Sequence, residues 1–279
     1  MAIKYINGKF LKSCPERLRE KIFLNTHTGK EYVAYYPSGW EALGYYNSGS
    51  QVNVTTVRIR KGDGKVFLLK NKDPLATGLC NIGDNALKSS MQVDLLVKKS
   101  FPNPKYAPKI PSILEGALIC DSPTRSYLIE ELVPGDNLSL RLFENASRKR
   151  QKHILLDLAK SLYKLHFKIP EASIKKSHFL VENPYVFLEG LEAYPRCGEI
   201  TPILQNKTAS VVHYDLAPGN IIYDWAGKAV TVIDFGCAGV TNRLEEFKRI
   251  NQNYDHRFLW RFMDAYLLVH GKITKGWDR

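Results

Sequence analysis

The 279-residue sequence is 44% hydrophobic and 24% charged, the balance of a folded chain rather than a disordered one. Its 40 Lys and Arg outnumber its 28 Asp and Glu, giving a net charge of +12. That charge divides evenly about Leu138, so no basic tail stands out as a nucleic-acid arm. No run reaches the roughly 18 apolar residues of a membrane span, and the N-terminus lacks the apolar core of a secretory signal. The five cysteines (Cys14, Cys80, Cys120, Cys197, Cys237) are scattered without disulfide-framework or zinc spacing. A reducing, cytoplasmic location is expected.

Residues 1–44 read as a mixed stretch of short elements ending at Tyr35-Tyr36-Pro37-Ser38-Gly39-Trp40. From Gln51 to Lys70 the pattern is strand, turn, strand. Val52, Val54, Val57 and Ile59 form a β-branched run, Gly62-Asp63-Gly64 is the turn, and Val66–Leu69 is the second apolar run. Asp84-Asn85 is the expected cap of a helix reaching Ser100, with Leu87, Met91 and Leu95 on one face. A Pro-punctuated connection, Pro102 to Pro111, leads to strands at Gly116–Cys120 and Tyr127–Leu132, the latter ended by Pro134-Gly135. Gln151–His166 is then a strongly amphipathic helix carrying Ile154, Leu155, Leu158, Leu162 and Leu165 at helical spacing. Short strands are expected at Val211–Val212, Ile221–Tyr223 and Ala229–Ile233, and one helix from Phe247 to Leu268. Strands first and helices later predict an α+β chain in two lobes hinged near Leu132–Asn137. The expected division is between residues 1–132 and residues 133–279.

The chemistry concentrates in His213-Tyr214-Asp215-Leu216-Ala217-Pro218-Gly219-Asn220, followed fourteen residues after Asn220 by Asp234-Phe235-Gly236. Metal-assisted phosphoryl transfer needs one carboxylate to orient or deprotonate the acceptor hydroxyl. It also needs further oxygen donors to hold a hard cation on the nucleotide phosphates. Asp215 fits the first role, and Asn220 with Asp234 fits the second. The motifs occur in the right order, each beside a β-rich run.

These residues resemble the protein-kinase-like superfamily, nearest the branch of aminoglycoside phosphotransferases and choline kinases. The resemblance runs from about Ser48 to Tyr266 and is specific only around His213–Gly236. It implies a bilobal protein-kinase-like fold, with a β-rich N-lobe and a mainly helical C-lobe, and the cofactors ATP and Mg²⁺. It also implies that Asp215 is the catalytic Asp, that Asn220 and Asp234 are metal ligands, and that His213 braces the catalytic loop. Ser48-Gly49-Ser50-Gln51-Val52-Asn53 is similar to the loop that covers the phosphates, which places Gly49 and Ser50 at the nucleotide. Lys70 matches the phosphate-pairing lysine, with Lys65 and Lys72 as alternatives. The backbone around Glu131 to Val133 is the expected adenine partner, and the carboxylates of that strand would be incidental.

The sequence also departs from the pattern. No Glu occurs between Glu41 and Glu115 to pair with the lysine, so Asp94, three residues after Met91, is nominated, with Gln92 second. The loop reads His-Tyr-Asp without the Arg of regulated protein kinases, and no Ala-Pro-Glu follows. Forty-six residues separate His166 from His213, room for an acceptor-binding insert. The first expectation is therefore an ATP-dependent kinase of a small hydroxyl compound, neutral or anionic rather than polycationic. Arg243, Lys248, Arg249, Arg257 and Arg261 are candidates to line an anionic cleft. The alternatives are a compact Ser/Thr protein kinase of the kind secreted as a bacterial effector, and a kinase of envelope-lipid sugars. A pseudokinase or basic scaffold ranks last, and nucleic acid is not an expected partner.

Overall fold

The computed structural model describes residues 2–6, 8–13, 17–25, 30–45, 54–72, 82–119, 125–175, 188, 191–205 and 210–271. Gly49, Ser50 and the rest of the expected phosphate-covering loop lie outside the described residues. The chain divides into two compact units, Met1–Leu95 with Pro111–Leu132, and Leu96–Ile110 with Val133–Arg279.

The first unit contains β1 (Ala2–Ile6), β2 (Lys9–Ser13), β3 (Leu18–Asn25), β4 (Lys30–Pro37), β5 (Trp40–Tyr45), β6 (Val54–Lys61), β7 (Val66–Lys72), most of α1 (Ile82–Ser100), β8 (Ile113–Ile119) and β9 (Tyr127–Glu131). Seven strands form one sheet in the order β2-β1-β8-β9-β7-β6-β5, and each pairing is antiparallel. Alternation along the strands gives the sheet two apolar faces. On one, Val57, Ile59, Leu69, Tyr127 and Ile129 pack with Ala34 and Tyr36 of the β3–β4 hairpin. On the other, Tyr5, Ile113 and Leu128 pack with Leu87 and Met91 of α1. Gly116 permits this second contact, because a Cβ there would strike the Met91 Cε and the Tyr127 carbonyl. The α1 backbone is already helical at Ile82, so the expected cap pair Asp84-Asn85 sits inside the helix.

The second unit contains β10 (Asp136–Asn137), α2 (Leu140–Asn145), α3 (Arg148–Phe167), α4 (Glu171–Lys175), α5 (Cys197–Leu204), β11 (Ser210–Val212), β12 (Ile221–Asp224), β13 (Ala229–Val232), β14 (Gly239–Thr241), α6 (Leu244–Asn253) and α7 (His256–Val269). Ile154, Leu155, Leu158, Leu162 and Leu165 of α3 are all buried, as their spacing predicts, and α3 packs along α7. The single C-terminal helix expected from Phe247 is two helices. The chain breaks at Tyr254-Asp255, where Asp255 Oδ1 accepts the Phe258 N–H at 2.7 Å and caps α7. Two small ladders, β10-β12-β13 and β11-β14, carry the loops that matter for chemistry. Behind them, Lys109 Nζ meets Asp157 Oδ2 of α3 at 2.6 Å, and the same oxygen accepts the Val230 N–H at 3.3 Å.

Candidate active site

In the second unit, β11 delivers His213 to a loop that doubles back through Pro218-Gly219-Asn220 into β12. Three hydrogen bonds fix His213. Its N–H donates to Glu246 Oε2 at 2.7 Å, and its Nε2 lies 2.7 Å from the Ile233 carbonyl. Its Nδ1 accepts the Asp215 N–H at 3.2 Å. Because a backbone N–H points at Nδ1, the ring proton belongs on Nε2, where it donates to Ile233. The ring also packs edge-on against Phe235, with centroids 4.7 Å apart. One buried imidazole thus joins the loop bearing Asp215 to the residue preceding Asp234.

Asp215 and Asn220 face each other. Asn220 Nδ2 donates to the Asp215 carbonyl at 2.7 Å and to Asp215 Oδ2 at 3.1 Å. Asn220 is tied in turn to the Asp234 segment, since its carbonyl accepts the Ile233 N–H at 2.9 Å. Asp234 adopts φ 61°, ψ 62°, a left-handed conformation that Asp tolerates better than most residues. Asp215 and Asp234 are both exposed.

A hard cation suits this donor set. With Asn220 Nδ2 committed to Asp215, the remaining amide atom is Oδ1, an oxygen of the kind such ions take. Among the described residues no group of three or more His, Cys, Asp or Glu side chains could hold a metal. Asn220 and Asp234 could offer such an ion two protein oxygens.

Glu246 was not legible as a contributor. It lies in the first turn of α6, fully buried, where the helix dipole favours a carboxylate. His166, at the end of α3, presents Nε2 3.6 Å from Glu246 Oε2, while its Nδ1 is 2.7 Å from the Tyr266 hydroxyl. Burial lowers the His166 pKa, outweighing the attraction of Glu246. The end of α3 therefore also meets the carboxylate that holds the His213 backbone. Arg243 corrects another expectation. It is 1% exposed, its guanidinium lies 4.0 Å from the Phe167 ring centroid, and Nη1 donates to the Ile203 carbonyl. It is a core residue and lines no anionic cleft.

In the first unit, Lys70 lies on the α1 face of the sheet, in register with Thr56 and Leu128. Its Nζ is 2.8 Å from Glu130 Oε1, and both side chains are buried. Glu130 lies two residues beyond Leu128 on β9, so the two groups meet diagonally across neighbouring strands. A carboxylate beside the lysine is therefore on a strand, one that the sequence had not nominated. Asp94 is also buried, and accepts the Tyr5 hydroxyl at 2.5 Å and the Ile113 N–H at 3.4 Å. The Glu130 carboxylate, expected to be incidental, is an ion-pair partner. The Glu131 N–H donates to the Ser112 carbonyl at 3.0 Å, which commits that donor within the sheet.

The sequence pattern of the phosphotransferase enzyme family, APH, matches residues 106–279. No curated protein matches the chain. Among solved structures, a variant of aminoglycoside 2'-phosphotransferase-IIIa in complex with GDP is similar with a TM-score of 0.57 at 15% identity, over 85% of this chain and 77% of that one. The GDP and kanamycin complex of an APH(2")-type enzyme gives 0.54 at 15% identity, over 85% and 78%. A protein from Ralstonia eutropha described as a putative aminoglycoside phosphotransferase gives 0.53 at 12% identity, over 95% and 79%. At these identities the likeness establishes the fold, which is the protein-kinase-like one expected: a β-rich first unit and a mainly helical second.

Proposed function

The chain belongs to the phosphotransferase enzyme family, and from that premise we propose that it moves the γ-phosphate of ATP to a hydroxyl group of a small-molecule acceptor. The observation that carries the reading is the junction of Asp215, Asn220 and the Ile233-Asp234 segment around His213. In this reading Asp215 orients the acceptor hydroxyl and takes its proton as the new P–O bond forms, and ADP leaves. Asn220 and Asp234 would hold Mg²⁺, which when bound neutralises charge on the phosphates. His213 and Glu246 keep the loop in place and touch no reacting atom. Lys70 is assigned to the nucleotide phosphates, and Glu130 holds its ammonium in position between turnovers. The adenine-binding role rests on the Glu131 carbonyl and on Val133.

The acceptor we favour is neutral or anionic. The charge of +12 repels polycations, and that argument stands without Arg243. The solved relatives named for aminoglycosides mark the opposite possibility, so the test must include both. ADP release with Mg²⁺ and ATP is measured across aminoglycosides, amino-alcohols, sugars, lipopolysaccharide fragments and basic proteins. One acceptor should raise turnover well above the hydrolytic background. Asp234→Ala should then abolish turnover, and Asp215→Asn should lose transfer while keeping MgATP affinity. Asp234→Ala turnover within about tenfold of wild type, some 1.4 kcal/mol, would remove Asp234 from the metal site.

A further inference from the structure

Tyr214 separates His213 from Asp215 and adopts φ 65°. This is the left-handed region, unfavourable for any side chain with a Cβ and uncommon for a bulky one. Glycine would adopt it without strain. A tyrosine kept there needs a compensating contact, and the structure supplies one. A Cβ built on Gly239 would lie 2.8 Å from Tyr214 Cε2 and 3.3 Å from Cδ2, so the ring lies directly against the Gly239 backbone. Gly239 has no positive φ of its own, so its backbone conformation does not call for glycine. The ring does, because alanine at 239 would have to displace it. Gly239 also pairs with Val212 across the β11–β14 ladder, three residues after Gly236.

We infer that Tyr214 is a positioning residue: its ring, seated on Gly239, clamps the strained loop so that the Asp215 carboxylate and the Asp234 segment are held as one unit. The Tyr214–Gly239 contact then joins the His213–Ile233 and Asn220–Ile233 hydrogen bonds as a further tie between the two segments. The inference rests on the phosphotransferase reading for its effect on rate, but the clamp itself can be observed without turnover.

The experiment compares Tyr214→Gly, Tyr214→Phe, Gly239→Ala and the double variant Tyr214→Gly/Gly239→Ala in the full chain. Peptide-resolved amide exchange over residues 213–220 should quicken in Tyr214→Gly and Gly239→Ala and stay as in wild type in Tyr214→Phe. With an acceptor in hand, both altered variants should lose at least about tenfold in kcat with the nucleotide KM unchanged. The thermal midpoint of Tyr214→Gly should be no lower than that of wild type, since glycine relieves the strain. The double variant should be no worse than Tyr214→Gly, because without a ring the added methyl strikes nothing. Unaltered exchange in Tyr214→Gly overturns the clamp. So does a kcat loss that merely follows a fall in the thermal midpoint, or a Tyr214→Phe variant as impaired as Tyr214→Gly. A wild-type protein that turns over no acceptor overturns the proposed function and leaves the exchange result to decide the clamp.

Discussion

Lys70 and Glu130 have side chains only 10% and 6% exposed, yet carry opposite charges 2.8 Å apart. Removing one member of a buried pair leaves the other desolvated and short of its counter-charge, which costs more than the pair contributes. Glu130→Ala should therefore lower the unfolding free energy by about 3 kcal/mol, and Glu130→Gln by less, because the amide still accepts a hydrogen bond. Denaturant titration checks this, and a loss below about 1 kcal/mol would mean that the pair is not what holds the lysine. The same two residues mark the limit of sequence reading at this scale. Lys70 was legible because it ends an apolar run. Its partner lies sixty residues away and is selected by strand order, which local spacing does not encode. Asp215, Asn220 and Asp234 could be nominated from sequence because each sits within a few residues of a turn. Glu246 was not, since nothing in a helix-terminal Glu-Glu pair announces which one accepts a distant backbone N–H.

At the scale of elements, α3 and α1 were readable because their apolar residues repeat with the helix. The break between α6 and α7 was missed because Tyr254 continues the apolar pattern through the gap, and only the capping aspartate marks it. The meeting of α3 with α6 has a consequence for acid stability. His166, buried and lowered in pKa, stays neutral in the fold at a pH where the unfolded chain takes up a proton. Below an unfolded pKa of about 6.5 the unfolded state binds more protons, so stability falls as the pH drops toward the folded pKa, and it is fully present above. Urea unfolding on either side of about pH 6.5 should show this loss, and His166→Asn should reduce it. A His166→Asn variant with the wild-type pH dependence would assign the effect to another group.

At the scale of the molecule, the net charge of +12 is a property of the whole surface. Arg243 shows why it cannot be assigned to an acceptor cleft residue by residue, since one of its cations is packed against a ring inside the core. The field still acts on encounter. The best acceptor should show a KM that is flat with added salt, if neutral, or that rises with it, if anionic. A polyamine-like acceptor whose KM rises steeply with salt would instead require converging carboxylates and would overturn the assignment of acceptor charge.

The placement of Leu96–Ile110 in the second unit bears on where the chain can be cut. Lys109 gives Asp157 its cation, the Lys109 carbonyl accepts the Val232 N–H at 3.1 Å, and the Ala107 carbonyl accepts Lys164 Nζ at 2.9 Å. A recombinant fragment beginning at Val133 would carry every residue of the candidate catalytic loop. It would nevertheless leave the Asp157 carboxylate beside α3 without its ammonium, and strip the acceptor from the last residue of β13. The second unit is therefore discontinuous in sequence. A short peptide spanning residues 96–110, added in trans, is the natural complement to a fragment that starts at Val133.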